Sequence, residues 1–255
     1  MKLDLDGSRA VVTGASRGIG LAIARALLAE GALVAGAALD FPDEVPGLHT
    51  VRADLSQPDS PSAVIDAAVS ALGGLDILIN NVGFVRPRVG GFLSVTDEDW
   101  DQTLNLNFLS AVRTTRAALP HLLDGGGSIV TIASVNARLP DPLVIDYSAA
   151  KGALLNFCKA LSNQVAGQGV RVNTVSPGPV STALWLGQNG VAATIGQATG
   201  AAPADIAAKA AAESPTGRFT TPEEVADLVL YLASGRAGNV TGGDFTIDGG
   251  LITTL

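Results

Sequence analysis

Short apolar runs alternate along the chain with longer stretches whose apolar residues recur every three or four positions. The runs RAVVTG (9–14), ALVAGAAL (32–39), HTVRADLS (49–56), LDILINN (75–81), GSIVTIAS (127–134), VRVNTVSPG (170–178) and DFTIDGG (244–250) read as seven strands. Helical spacing fills the intervals at 18–31, 58–72, 96–123, 146–169 and 221–234. The third of these opens on an acidic cap, TDED, and carries a break near Asn105–Asn107. Strands that are apolar on both sides and alternate with helices predict an α/β fold, a doubly wound, mainly parallel sheet flanked by helices. No linker or repeat divides the chain, so 1–255 is expected to be one domain. The Ala- and Gly-rich stretch 179–216, between a strand and a helix, reads as irregular with short helices, a mobile lid over a site.

Composition narrows the function. Hydrophobic residues make up 47% of 255, enough for a large core. A net charge of −8 without basic clusters argues against nucleic acid and anionic membrane surfaces as partners. One cysteine, Cys158, and two histidines, His49 and His121, leave no set of ligands for a metal centre. The first residues run directly into a strand, and no apolar run is long enough to span a bilayer, so a cytoplasmic protein is expected.

The first strand and helix are joined by VTGASRGIG, with glycines at Gly14, Gly18 and Gly20. A tight turn, close backbone approach and a helix N-terminus are what a pyrophosphate requires. Asp54, after the third strand, either accepts the exocyclic amine of adenine or caps a turn. Asn81 and Gly83, in NNVG, end the fourth strand and face the same crevice. In YSAAK, Tyr147 and Lys151 lie four positions apart and so share a helix face.

Together these features resemble the short-chain dehydrogenase/reductase family over roughly Lys2 to Gly250. The markers stand in order: T-G-x-x-x-G-x-G from Thr13 to Gly20, N-N-x-G from Asn80 to Gly83, Asn107 seven residues after Trp100, Ser134 thirteen before Tyr147, Y-x-x-x-K, and P-G at Pro177–Gly178. The resemblance implies a Rossmann-type domain with a catalytic tetrad of Asn107, Ser134, Tyr147 and Lys151. It implies an NAD(P)(H)-dependent oxidoreductase interconverting a secondary alcohol and a ketone. Tyr147 is then general acid or base, its phenolate favoured by the Lys151 charge. Ser134 steadies the substrate oxygen. Asn107 holds a water that links Lys151 to solvent; read structurally, it is a polar residue that bends the helix. Cofactor contacts are implied at Gly14, Ser16, Arg17, Gly18, Ile19, Gly20, Asp40, Asp54, Leu55, Asn81, Gly83, Tyr147, Lys151, Pro177, Gly178, Val180 and Thr182.

The chain departs from the family pattern after the second strand. NAD-preferring relatives place an Asp at the position of Ala38, and NADP-preferring ones an Arg at that of Leu39; neither is present. Arg17 can pair with a 2′-phosphate, whereas Asp40 can bind ribose hydroxyls, and the balance slightly favours NADP(H). FVRPRVGGF (84–92) is longer than a minimal member needs; with NARLPDPLV (136–144) and the lid it should wall a substrate pocket. Arg86 and Arg88 there either meet an anionic substrate or are merely solvated. A cofactor sensor without catalysis is disfavoured by the complete tetrad, and a carrier-linked 3-oxoacyl ketoreductase by the acidic balance. The broad apolar surface of 146–169, with Leu154, Leu155, Phe157 and Leu161, together with the similarly apolar preceding helix, suggests a second partner, and the resemblance implies a homotetramer.

Overall fold

The computed structural model describes residues 2–254. Seven strands form one sheet: β1 (Arg9–Thr13), β2 (Leu33–Ala38), β3 (Leu48–Arg52), β4 (Ile77–Asn80), β5 (Gly127–Ile132), β6 (Val170–Pro177) and β7 (Asp244–Ile247). Their order is β3-β2-β1-β4-β5-β6-β7, and every neighbouring pair is parallel. Helices α1 (Gly18–Ala29) and α9 (Pro222–Ala233) pack on one face; α2 (Ser60–Leu72), α4 (Ser110–Leu123) and α5 (Ile145–Val165) pack on the other.

The core explains why the strands read as continuous apolar runs. Val12, Ile79 and Val130 join Ile23 and Leu27 of α1 and Val225, Val229 and Leu232 of α9. Their chain neighbours Val11, Leu78 and Ile129 join Ile65, Leu122, Leu154 and Leu161 on the opposite face. Side chains alternate between faces along a strand, so a sheet covered on both sides needs apolar residues at every position. The edge strand β3 lacks this double cover and is largely exposed.

Helix starts follow local chemistry. The Thr96 hydroxyl accepts the Asp99 N–H (3.2 Å) while the Asp99 carboxylate accepts the Thr96 N–H (3.3 Å), the capping box that opens α3 (Asp97–Leu104). Thr221 and Glu224 open α9 in the same way. Between α3 and α4 the expected break is a π-helical turn, Asn105–Leu109, with Asn107 buried inside it.

Two strands end furthest short of their expected bounds. β3 stops at Arg52, and Asp54 to Gln57 form a turn. β7 stops at Ile247, because the Asp248 carboxylate accepts the N–H groups of Gly250 (2.9 Å) and Ile252 (2.8 Å) and curls the chain away. The stretch 179–216 is more regular than expected, with helices α6 (Ala183–Leu186), α7 (Val191–Thr199) and α8 (Pro203–Glu213). α7 buries Val191, Ala192, Ala193 and Gly196, whereas no residue of α8 is fully buried, so the segment is an inner helix with an outer one laid on it. Among the described residues no helix is long and apolar enough to cross a membrane, and no cluster of His, Cys, Asp and Glu has the makings of a metal site.

Candidate active site

Strand order reverses between β1 and β4, which opens a crevice at the carboxyl ends of the strands. A hydrogen-bonded clamp holds its floor. Thr13 Oγ1 accepts the N–H groups of Asn81 (2.9 Å) and Val82 (3.2 Å), and Asn81 Nδ2 donates to the carbonyls of Thr13 (2.9 Å) and Gly14 (3.2 Å). The turn above the clamp requires glycine. Gly14 and Gly18 have φ of 66° and 55°, and a methyl on Gly20 would lie 2.2 Å from the Gly14 carbonyl oxygen. Arg17, at the N-cap of α1, makes no side-chain cap, and the first turn of α1 holds no acid. Its leading N–H groups are therefore free for an anion, and this arrangement fits a dinucleotide pyrophosphate. Ser16 is half-buried beside this turn, and Ile19 packs into the core.

The other residues expected to contact a cofactor follow β2, β3 and β6. Arg17 Nη2 donates to Asp40 Oδ1 (2.9 Å) in an exposed ion pair just past β2. Asp54 caps its own turn: Oδ1 accepts from Ser56 N–H (3.0 Å) and Ser56 Oγ (2.7 Å), and these bonds hold its carboxyl below the usual range. Leu55 is buried against Ala37 and Val64. After β6, Pro177 is buried and Gly178 passes so close to β7 that a methyl there would lie 3.0 Å from Asp248 Cα. Val180 is buried and bridges to Thr220. Thr182 Cγ2 sits 3.3 Å from where a Cβ on Gly18 would be, so the segment after β6 closes over the glycine turn.

The four expected catalytic residues converge at the ends of β4 and β5. Ser134 lies two residues past β5, with its hydroxyl 3.2 Å from Asn136 Oδ1. Nothing in the type or spacing of Asn136, within the expected pocket wall, marks it as a partner of Ser134. Tyr147 and Lys151 share one face of α5, with Lys151 Nζ 5.6 Å from the phenol ring centre and donating to the Ile132 carbonyl (2.9 Å). A methyl on Gly83 would lie 3.3 Å from Asn107 Oδ1 and 3.6 Å from Lys151 Nζ, so Asn107, Gly83 and Lys151 meet at one point. Burial pushes the Tyr147 phenol above its ordinary pKa, while its hydrogen bond with Ser134 pulls the other way. The direction is opposite to that expected from the lysine alone, because burial outweighs the effects that favour the phenolate. Burial likewise lowers Lys151 to about 8.

Asn107 sits within the π-helical turn and ties it to the segment after β4. Nδ2 donates to the carbonyls of Phe84 (2.8 Å) and Thr103 (3.0 Å), and Oδ1 accepts the Phe84 N–H (3.0 Å). Both amide hydrogens are spent, so a water on this side chain has only the second lone pair of Oδ1. The two arginines of the 84–92 segment differ. Arg86 lies over the Phe84 ring at 5.7 Å. Arg88 is neither solvated nor turned toward a substrate: it is buried, donating to Asp99 Oδ1 (2.7 Å) and to Asp146 Oδ2. Arg88 and Thr103 hold the Asp146 carboxyl below its usual range against the opposing effect of burial. Nothing in the spacing of Arg88, Thr103 and Asp146 announced this cluster.

The family model described as enoyl-(acyl carrier protein) reductase matches residues 14–252. The chain belongs to the short-chain dehydrogenase/reductase family. It is 36% identical over 254 residues to 2-(S)-hydroxypropyl-CoM dehydrogenase 3 of Xanthobacter autotrophicus, with 94% of each chain covered. It is 32% identical over 260 residues to the 3-oxoacyl-[acyl-carrier-protein] reductase FabG of Vibrio cholerae, covering 98% of this chain and 99% of that one. The crystal structure of L-sorbose reductase from Gluconobacter frateurii, complexed with NADPH and L-sorbose, superposes with a TM-score of 0.90 at 32% identity over all of both chains. This member of the family is an oxidoreductase that works on alcohols and ketones with NAD(P).

Proposed function

We propose that the chain moves a hydride between NADP(H) and a secondary alcohol or ketone, with Tyr147 exchanging the proton on the substrate oxygen. The observation that carries this reading is the meeting of Tyr147, Lys151 and Ser134 at the end of β5, beside the glycine turn. The nicotinamide, when bound, supplies or accepts the hydride. Tyr147 Oη gives a proton to the oxygen in reduction and takes it in oxidation. Ser134 Oγ donates to that oxygen as charge develops on it. The Lys151 ammonium supplies a positive field and a donor to a ribose hydroxyl. Asn107 keeps the segment after β4 closed on this group. The turn from Gly14 to Gly20 holds the pyrophosphate, with Asp54, Leu55, Asn81 and Gly83 along the adenosine and ribose and Pro177 to Thr182 at the nicotinamide.

Two finer features belong to the same proposal. NADP(H) is the preferred cofactor, since no acid stands at Ala38 to repel a 2′-phosphate. Arg17 can swing from Asp40 to that phosphate, because exposed ion pairs contribute under about 1 kcal/mol. The assembly is a homotetramer. Leu154, Cys158 and Leu161 of α5 point into the core, while Leu155 and Phe157 are only partly covered by their own chain. That second apolar stripe, with α4, suits pairing with a second copy, and the edge strand β7 with α9 suits another pairing. Light scattering that returned a single-chain mass would end this part of the proposal.

The test of the chemistry is Tyr147→Phe, assayed on a panel of alcohols, ketones and 3-oxoacyl thioesters with both nucleotides. Turnover should fall at least about a thousandfold while nucleotide affinity stays within twofold. Turnover near the wild-type rate would remove Tyr147 from the mechanism.

A further inference from the structure

A buried ionic cluster adjoins the expected catalytic residues and links three separate elements. Arg88 comes from the segment after β4, Asp99 and Thr103 from α3, and Asp146 from the first turn of α5. Arg88 Nη1 donates to Asp99 Oδ1 (2.7 Å), and Nε (3.1 Å) and Nη2 donate to Asp146 Oδ2. Thr103 Oγ1 adds a bond to the same Asp146 oxygen (2.7 Å), and the Arg88 N–H donates to the Leu143 carbonyl (2.6 Å), just ahead of α5. The cluster then touches the active site at two points. Asp146 immediately precedes Tyr147, and the Thr103 carbonyl accepts from Asn107 Nδ2 (3.0 Å).

Arg88, Thr103 and Asp146 are 6%, 2% and 1% exposed. A buried ion pair is weak ground for stability, since its desolvation cost rivals its attraction and apolar replacement of both partners is often harmless. A planar guanidinium with several donors is, however, suited to fixing several elements in one geometry. We infer that Arg88 is a positioning residue: through Asp146 and Thr103 it sets Tyr147 and Asn107 relative to one another and to the substrate segment. The inference rests on the proposed role of Tyr147.

The experiment compares Arg88→Met, the double variant Arg88→Met/Asp146→Leu, Arg88→Lys and Asp99→Asn with wild type, measuring kcat per nucleotide-binding site, substrate KM, nucleotide Kd and Tm. Tyr147→Phe runs as the control: if it retains turnover, the catalytic reading fails and the positioning claim goes with it. With that control inactive, Arg88→Met should lose about 10–100-fold in kcat, the scale of an ångström-level misplacement, with KM and Kd within about threefold. The double variant leaves no buried charge unpaired and should regain thermal stability without regaining kcat. Arg88→Lys, whose single ammonium cannot span both carboxylates, should recover only part of the loss. Asp99→Asn removes charge at the rim of the cluster and should cost about threefold in kcat even if the buried variants do not fold. Wild-type kcat in the folded double variant, or in Asp99→Asn where no buried variant folds, would overturn the inference.

Discussion

The nucleotide half of the crevice and the substrate half are built from different materials. Around β1, α1 and β4 the working parts are backbone groups and the spaces left by missing side chains: the free N–H groups of α1, the clamp of Thr13 and Asn81, and Gly20 against Gly14. Around β5 and α5 they are side chains held by side chains: Tyr147, Ser134 and Lys151 above, Arg88, Thr103 and Asp146 below. A backbone cradle depends on a few residues being small, so any larger residue damages it. A side-chain cluster depends on partners meeting, so pairs of changes can compensate in stability while still misplacing the chemistry.

The sharpest way to break this contrast is Gly20→Val. Its side chain would drive into the Gly14 carbonyl, which is main chain and cannot step aside. Nucleotide affinity by fluorescence titration should fall at least about a hundredfold, a loss a few tenths of an ångström of relaxation cannot repair. Retained affinity would mean that the turn is looser than its glycines indicate.

A smaller effect follows from Lys151 in the substrate half. Burial lowers it from 10.5 to about 8, so the folded protein releases this proton near pH 8 while the unfolded chain keeps it to about 10.5. The unfolded state then binds more protons across that window, and stability should rise as pH goes from 8 to 10.5, by on the order of 3 kcal/mol from this group. Lys151→Met should flatten that rise. Denaturant unfolding of nucleotide-free protein at a series of pH values measures it, and equal slopes for the two proteins would show the lysine to be less buried than this.

The smallest expected change is Arg17→Ala at the exposed mouth of the nucleotide half. It should weaken NADP(H) about tenfold and leave NAD(H) within twofold, as expected for one charged hydrogen bond. Tighter binding of NAD(H) by the wild type would instead make Asp40 the ribose acceptor.

From sequence alone came the seven strands, the sheet's double cover, the glycine turn and the shared helix face of Tyr147 and Lys151. All of these are written in local spacing or in residues whose chemistry is specific to type. Apolar runs declare buried strands because each strand must satisfy two faces, and Tyr147 and Lys151 declare a shared face because helical pitch brings positions four apart together. Boundaries are less legible: apolar patterning carries β3 and β7 past their ends because the turns that end them use the side-chain oxygens of Asp54 and Asp248, which that patterning does not register. The tertiary structure alone decided what Arg88 does. Its partners Asp99 and Asp146 lie 11 and 58 residues along the chain, and only the packing of α3 against α5 brings them to one guanidinium. It also decided the direction of the Tyr147 shift, since burial depends on neighbours that no local spacing names.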